Sequence, residues 1–167
     1  MKNVKCVDIN GKIIKSLKNW KLRNPGKLYF DSKFEWRVYK YLESQKLEFD
    51  FHPEKTILQP GFQCLALNAK GELFKSTVRP ITYTPDFKII CGDKIIYLET
   101  KGFFTEASRL RVKLFQHQLK PNELFFIAHD KYRGKGQDAI KDVKSIIEII
   151  NRDILNKENK SIKKCDI

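Results

Sequence analysis

Tyr83-Thr84-Pro85-Asp86-Phe87-Lys88-Ile89-Ile90-Cys91-Gly92-Asp93-Lys94-Ile95-Ile96-Tyr97-Leu98-Glu99-Thr100-Lys101-Gly102 is the stretch from which the rest of the chain can be read. Tyr83 to Ile90 predicts a strand, Cys91-Gly92-Asp93-Lys94 a turn, and Ile95 to Lys101 a second strand folded back beside the first. Residues two apart on a strand face the same side, so Glu99 and Lys101 project together. Pro85 lacks an N–H and has a fixed φ, which suits a strand start or a bulge at a sheet margin, immediately before Asp86. Two adjacent strands thus bring Asp86 beside Glu99-Thr100-Lys101. Gly102 ends the second strand where the backbone bends away or approaches a phosphate.

Upstream, Asp31 or Ser32 caps a helix running to about Gln45, with Glu35 three residues after Ser32 as in a capping box. Phe34, Val38, Tyr41 and Leu42 form its buried stripe. Leu47 to Phe51 alternates like a strand and ends near His52-Pro53. Residues 56–84, punctuated at Pro60-Gly61, Ala69-Lys70-Gly71 and Arg79-Pro80, read as hairpin strands. Downstream, Thr105 or Glu106 opens a helix to about Leu119, stopped by Pro121. Glu123 to Ala128 is an apolar run expected of a central strand covered on both faces. A basic, Gly-rich loop follows at 130–136, then a helix at about 137–157 with Ile140, Val143, Ile147, Ile150 and Ile154 on one face. The expected fold is α/β (α+β), a mixed central β-sheet flanked by helices.

The expected organisation is a basic lead-in at 1–28, one domain at 29–157 and a polar tail at 158–167. The lead-in reads either as a hairpin around Asn10-Gly11 with a turn at Asn24-Pro25-Gly26, or as a short helix with Ile13, Leu17 and Trp20 on one face. Thirty-three Lys plus Arg against 20 Asp plus Glu give +13. Such a balance points to an anionic partner, most commonly nucleic acid, against the plainer reading of a solvated Lys-rich surface. Residues 1–28 hold eight of the basic residues (Lys2, Lys5, Lys12, Lys15, Lys18, Lys21, Arg23, Lys27) and one acid, Asp8. Trp20, among them, either stacks on a base or anchors a core.

Cys6, Cys64, Cys91 and Cys165 are far apart and lie at no zinc-ligand spacing, and His52, His117 and His129 pair on no helix face. Reduced structural thiols are the expectation. No run approaches 18 consecutive apolar residues and the N-terminus lacks a signal-peptide core, so a cytoplasmic protein without membrane contact is expected.

Two carboxylates, Asp86 and Glu99, with the intervening Thr100 carbonyl offer the hard oxygen ligands that Mg²⁺ prefers. Lys101 beside them suits phosphodiester hydrolysis, holding water and offsetting charge as it develops on the phosphate. Glu35 adds a third carboxylate. An acid two before a Lys occurs five times in the chain (at Asp31, Asp86, Glu99, Asp142 and Glu158), so that pattern alone is weak. The pair Glu99/Lys101 stands apart because it ends an apolar strand, precedes Gly102, and follows a Pro-Asp strand and a Glu-bearing helix. Lys33, Arg37, Arg109, Arg111 and Lys113 flank the site as candidate phosphate contacts or ordinary solvated charges.

Pro85-Asp86 followed after twelve residues by Glu99-Thr100-Lys101 resembles the signature of the PD-(D/E)XK nuclease superfamily, which has a restriction-endonuclease-like core. Phe30 to Glu35, Lys101 to Glu106 and Arg109 to Phe115 are similar to a phage-associated family of small endonucleases. Ser32 to Glu43, Tyr83 to Phe87 and Glu99 to Gly102 resemble phage junction-resolving endonuclease I. The resemblance covers roughly residues 27–128. It implies a Mg²⁺- or Mn²⁺-dependent DNA endonuclease with Glu35, Asp86, Glu99 and Lys101 in the catalytic positions. Glu35, Asp86, Glu99 and Thr100 are the implied metal ligands. A homodimer acting on branched DNA, such as a Holliday junction in recombination, is the further implication. Residues 56–82 are longer than that pattern predicts. Two other readings stand beside the nuclease: a non-catalytic DNA-binding module that keeps the fold, and an RNA binder.

Overall fold

In the computed structural model residues 6–102, 104–130 and 140–162 are described. The side chains of Ile150 and 153–162 lie outside that set, as do Lys2, Lys5, Phe103, the loop from Lys131 to Gly136, and Cys165. The stripe positions Ile150 and Ile154 therefore lie outside the described side chains.

In chain order the elements are β1 (Val7–Asp8), α1 (Leu17–Arg23), β2 (Tyr29–Phe30), α2 (Lys33–Ser44), β3 (Glu48–Phe51), β4 (Thr56–Gln59) and β5 (Phe62–Leu67). They continue with β6 (Leu73–Val78), β7 (Ile81–Tyr83), β8 (Phe87–Cys91), β9 (Lys94–Lys101), α3 (Glu106–His117), β10 (Glu123–His129) and α4 (Lys141–Ile162). The class is mixed α+β, as expected from the sequence. The central sheet has the order β10-β9-β8-β3, with β10 and β9 parallel and the other pairs antiparallel.

The β8–β9 hairpin turns through two residues, Gly92 and Asp93, and Gly92 sits at φ +58°, a conformation open to glycine without a Cβ clash. The turn is thus shorter than the four residues expected. From Cys91↔Lys94 the register runs to Phe87↔Leu98, which places Asp86 next to the Glu99–Thr100 end of β9. The expected single strand from Tyr83 to Ile90 is two strands. β7 ends at Tyr83 and pairs with β4, Thr84-Pro85-Asp86 are irregular, and β8 begins at Phe87. Pro85, with no N–H for a ladder, divides them.

Alternation along the strands sorts the core into two layers. Phe87, Ile89, Cys91, Ile96 and Leu98 face α2 and α4, meeting Phe34, Val38, Leu42, Val143 and Ile147. On the other face Tyr97, Phe125 and Ile127 meet α3 (Val112, Phe115) together with Leu58 and Tyr83. The apolar run of β10 is covered on both sides, yet β10 lies at the sheet's edge rather than its centre. Apolar composition reports coverage of the faces and carries no information on lateral position.

Ser32 caps α2 as expected, its hydroxyl accepting from Glu35 N–H at 3.1 Å. The Glu35 carboxylate reaches one residue further back than a capping box requires, accepting from Asp31 N–H at 2.5 Å. Thr105 caps α3 in the same way, accepting from Ser108 N–H. α4 starts at Lys141 and runs to Ile162, four residues later and five further than expected.

The lead-in takes the hairpin reading, and its helix is shorter than the alternative expected, leaving Ile13 out. Val7 and Ile13 form a bridge around the Asn10-Gly11 turn, and α1 follows. β1 then pairs with β2 (Val7↔Phe30), and Trp36 of α2 donates from its indole N–H to the Ile9 carbonyl at 2.9 Å. Gly11 allows this: a Cβ there would lie 2.9 Å from the Trp36 ring. Residues 56–83 make two separate two-stranded sheets, β4 with β7 and β5 with β6. No helix among the described residues is long and apolar enough to cross a membrane.

Candidate metal centre

The end of the sheet where β8 begins and β9 finishes gathers the polar side chains. Glu35, on the first turn of α2, is 3% exposed and Glu99 2%. Strand alternation puts Thr100 on the layer of Leu98, towards α2, and Glu99 on the layer of Tyr97, towards α3. Asp86 lies at the end between them. Its Oδ2 accepts from both the N–H and the hydroxyl of Thr100, at 2.7 and 2.6 Å.

Both Glu99 oxygens are engaged. Oε2 accepts from the Tyr83 hydroxyl at 2.6 Å, and Oε1 pairs with the Lys101 ammonium, the contact expected of residues two apart on one strand. Lys101 Nζ also stands 5.9 Å from the centre of the Phe104 ring.

Glu35 Oε1 lies 3.1 Å from His52 Nε2. His52 follows β3, whose last pair is Phe51↔Phe87, and its backbone N–H donates to the Asp86 carbonyl at 2.8 Å. Its φ of +51° is uncommon for a non-glycine residue, and its ring stacks on Phe51 with centroids 3.9 Å apart. One donor atom each from Glu35, His52 and Asp86 lies within 4.8 Å of the others, so these three could hold a metal ion.

The electrostatics agree with that grouping. Burial pushes the Asp86 carboxyl from 3.8 up to about 7, and the charges of Glu99 and Glu35 add to the rise against the two Thr100 hydrogen bonds. The Tyr83 hydroxyl is pushed far up by burial and by Glu99, so it stays a hydrogen-bond donor. His52 is raised from 6.5 mainly by its hydrogen bond to Glu35, against burial. Buried carboxylates crowded together in this way hold protons or a cation. Two carboxylates and an imidazole are donors a divalent ion accepts.

The structure therefore brings Glu35, Asp86, Glu99, Thr100 and Lys101 to one place. Within that place it groups Glu35 and Asp86 with His52, and holds Glu99 with Tyr83 and Lys101. Sequence reasoning missed His52 and Tyr83. His52 becomes visible only through the pairing of β3 with β8, which sets residue 52 beside residue 86. Tyr83 had no signal, because the break at Pro85 redirects it.

Lys33 and Arg37 are exposed on α2, and Arg109, Arg111 and Lys113 on α3, so these charges lie on two helices over opposite faces of the sheet. Beside the site, a cavity of about 370 Å³ is lined by Lys21, Lys27, Tyr29, Phe51 and His52 among others. A neighbouring one of about 390 Å³ takes Lys12, Lys15, Trp20 and Arg23. Trp20 is half-buried, belongs to neither core layer and meets Tyr29 edge-on at 6.0 Å.

Comparison with curated proteins finds no match, and comparison with solved structures finds none either. The family model described as a protein of unknown function (DUF1064) matches residues 18–134, which are 117 of the 167 and contain every residue of the site. The chain belongs to the DUF1064 family.

Proposed function

We propose that this protein is a divalent-metal-dependent DNA endonuclease. The observation that carries the reading is the gathering of Glu35, Asp86, Glu99 and Lys101, three carboxylates and one ammonium, at a single end of the sheet. The net charge of +13 and the cavity that Lys21 and Lys27 line together with His52 support a polyanionic substrate.

A divalent ion, Mg²⁺ or Mn²⁺, would supply neutralisation of phosphate charge and acidification of water. Glu35 and Asp86 would hold it, with Glu99 and the Thr100 carbonyl as the further oxygens at the end of β9. In the reaction a water oxygen bonds to phosphorus and gives up a proton, the bond from phosphorus to the leaving oxygen breaks, and a proton, in balance the one the water gave up, ends on the leaving oxygen. Lys101, partly exposed, orients the water and offsets charge developing on the phosphate oxygens. Tyr83 fixes Glu99 through its hydroxyl, so Lys101 can move towards the phosphate without Glu99 losing its last partner. Lys33, Arg37, Arg109, Arg111 and Lys113 are the proposed phosphate contacts, branched DNA the proposed substrate and a homodimer the proposed assembly.

A cleavage assay on four-way junction, flap and linear duplex DNA, with Mg²⁺, Mn²⁺ or EDTA, tests the reading. Cutting is expected with metal and none with EDTA. Lys101→Ala should lower the rate by about 10²–10³-fold, the loss typical of one transition-state donor. Tight DNA binding with no cutting in any metal would replace this reading by a non-catalytic DNA-binding module.

A further inference from the structure

We infer that His52 Nε2 is a ligand of the metal centre and that it makes the site select first-row transition-metal dications over Mg²⁺. The inference rests on the metal-centre reading above and concerns which ion that centre holds.

The geometry comes first. Octahedral bonds of about 2.1 Å set cis donor atoms about 3.0 Å apart and trans donors about 4.2 Å apart. His52 Nε2 and Glu35 Oε1 are 3.1 Å apart, which suits a cis pair. The mutual 4.8 Å limit on Glu35, His52 and Asp86 leaves room for all three around one ion. The imidazole is also held in place from two sides. Its backbone N–H is bonded to the carbonyl of Asp86, itself a ligand of the group, and its ring lies on Phe51. That fixed presentation comes at a left-handed φ of +51°, a position where glycine or asparagine would fit with less strain.

The chemistry then decides the ion. Mg²⁺ is bound by oxygen and keeps several waters, so an imidazole in its shell gives it little. Co²⁺ and the later dications gain from nitrogen, and affinity for a given N/O site rises from Mn²⁺ to Co²⁺. A site of two carboxylates and one imidazole therefore discriminates in a way that the carboxylates and carbonyl alone would not.

The full chain would be titrated calorimetrically with Co²⁺ and with Mg²⁺, as wild type, His52→Asn and Asp86→Asn. Asparagine tolerates the left-handed backbone, so His52→Asn tests the ring without refolding the loop. Even outer-shell partners of a ligand are worth about 10–100-fold in metal affinity, so His52→Asn should weaken Co²⁺ by at least about tenfold. Its Mg²⁺ affinity should hold within about threefold, as expected for an ion bound through oxygen. Bound Mn²⁺ should show ¹⁴N coupling in its pulsed electron-spin-echo spectrum, and the variant should lose it. Equal weakening of Co²⁺ and Mg²⁺ would make His52 a positioning group for Glu35 and overturn the inference, as would Mn²⁺ without nitrogen coupling in the wild type. If Asp86→Asn abolishes binding while His52→Asn leaves Co²⁺ unaffected, the metal centre stands and only the inference falls. Wild type that binds neither ion at millimolar concentration removes the metal centre itself.

Discussion

At the end of the central sheet Glu35 and Glu99 are 3% and 2% exposed, whereas on the β5–β6 hairpin Leu65 and Leu67 are 69% and 65% exposed. The first region takes in carboxylates and the second sets out leucines, each against the usual partition. What surrounds them differs. Glu99 sits on β9 and Asp86 directly before β8, strands gripped from both sides, by Phe34, Val38 and Val143 on one face and by Val112 and Phe115 on the other. The β5–β6 hairpin has its own six-residue register, Phe62↔Val78 to Leu67↔Leu73, and belongs to neither core cluster. Two strands alone are marginal in water. The difference teaches that packing beneath the site offsets the carboxylate burial, while the hairpin adds little to the stability of the fold.

The largest effect that could break this contrast is at Phe87, fully buried and next to Asp86. Phe87→Ala should cost about 3–5 kcal/mol, as in other core truncations, read by urea unfolding. A loss below about 1 kcal/mol would mean that the packing does not hold the site.

An intermediate effect comes from pH. Asp86 keeps its proton towards about 7 in the folded chain against 3.8 for an ordinary aspartate, so the folded state binds more protons across that window. Its contribution is complete below the lower value and is lost as pH rises through the upper one. The sign is the same for His52, whose raised value makes its contribution complete below 6.5 and lost above. Metal-free protein should therefore melt lower at pH 8 than at pH 5 as far as these groups decide it, and Mn²⁺ should restore more at pH 8. Asp86→Asn should flatten the slope and stabilise the metal-free protein at pH 8 by about 0.5–2 kcal/mol, the usual gain when a functional strain is removed. Melting curves without any pH slope would mean that the carboxylates are not forced together.

The smallest effect is on the hairpin itself. Leu65→Ser with Leu67→Ser should change unfolding free energy by no more than about 0.5 kcal/mol, as for other surface sites. A loss of several kcal/mol would show that the arm is packed against something and would erase the contrast.

Most of the elements can be read from residues alone. Ser32 and Thr105 as caps, Gly92 in a turn, and the stripe Phe34, Val38 and Leu42 each have a local cause, and each stands where expected. The partners of the strands are not legible in the same way. Alternation in 47–51 tells which residues share a face, not that the strand lies against β8, and so it does not set His52 beside Asp86. Tyr83 reads as part of the strand of Asp86 because no local signal says that Pro85 sends it to β4 instead. Glu35, Asp86, Glu99 and Lys101 are legible because their types and order are unusual together. His52 depends on a contact between two elements distant in sequence.

The two-residue turn at Gly92-Asp93 has a kinetic consequence. A hairpin so tightly closed can form within about 1–10 μs, and with it Asp86, Glu99 and Thr100 come together. Glu35 and His52 join from residues 35 and 52 only when α2 and β3 have docked. A cation of the kind proposed, drawing on both groups, would find its full set of donors only once those elements have docked. It would then act as a latch that slows the escape of the native chain, with the speed of arrival left to the hairpin.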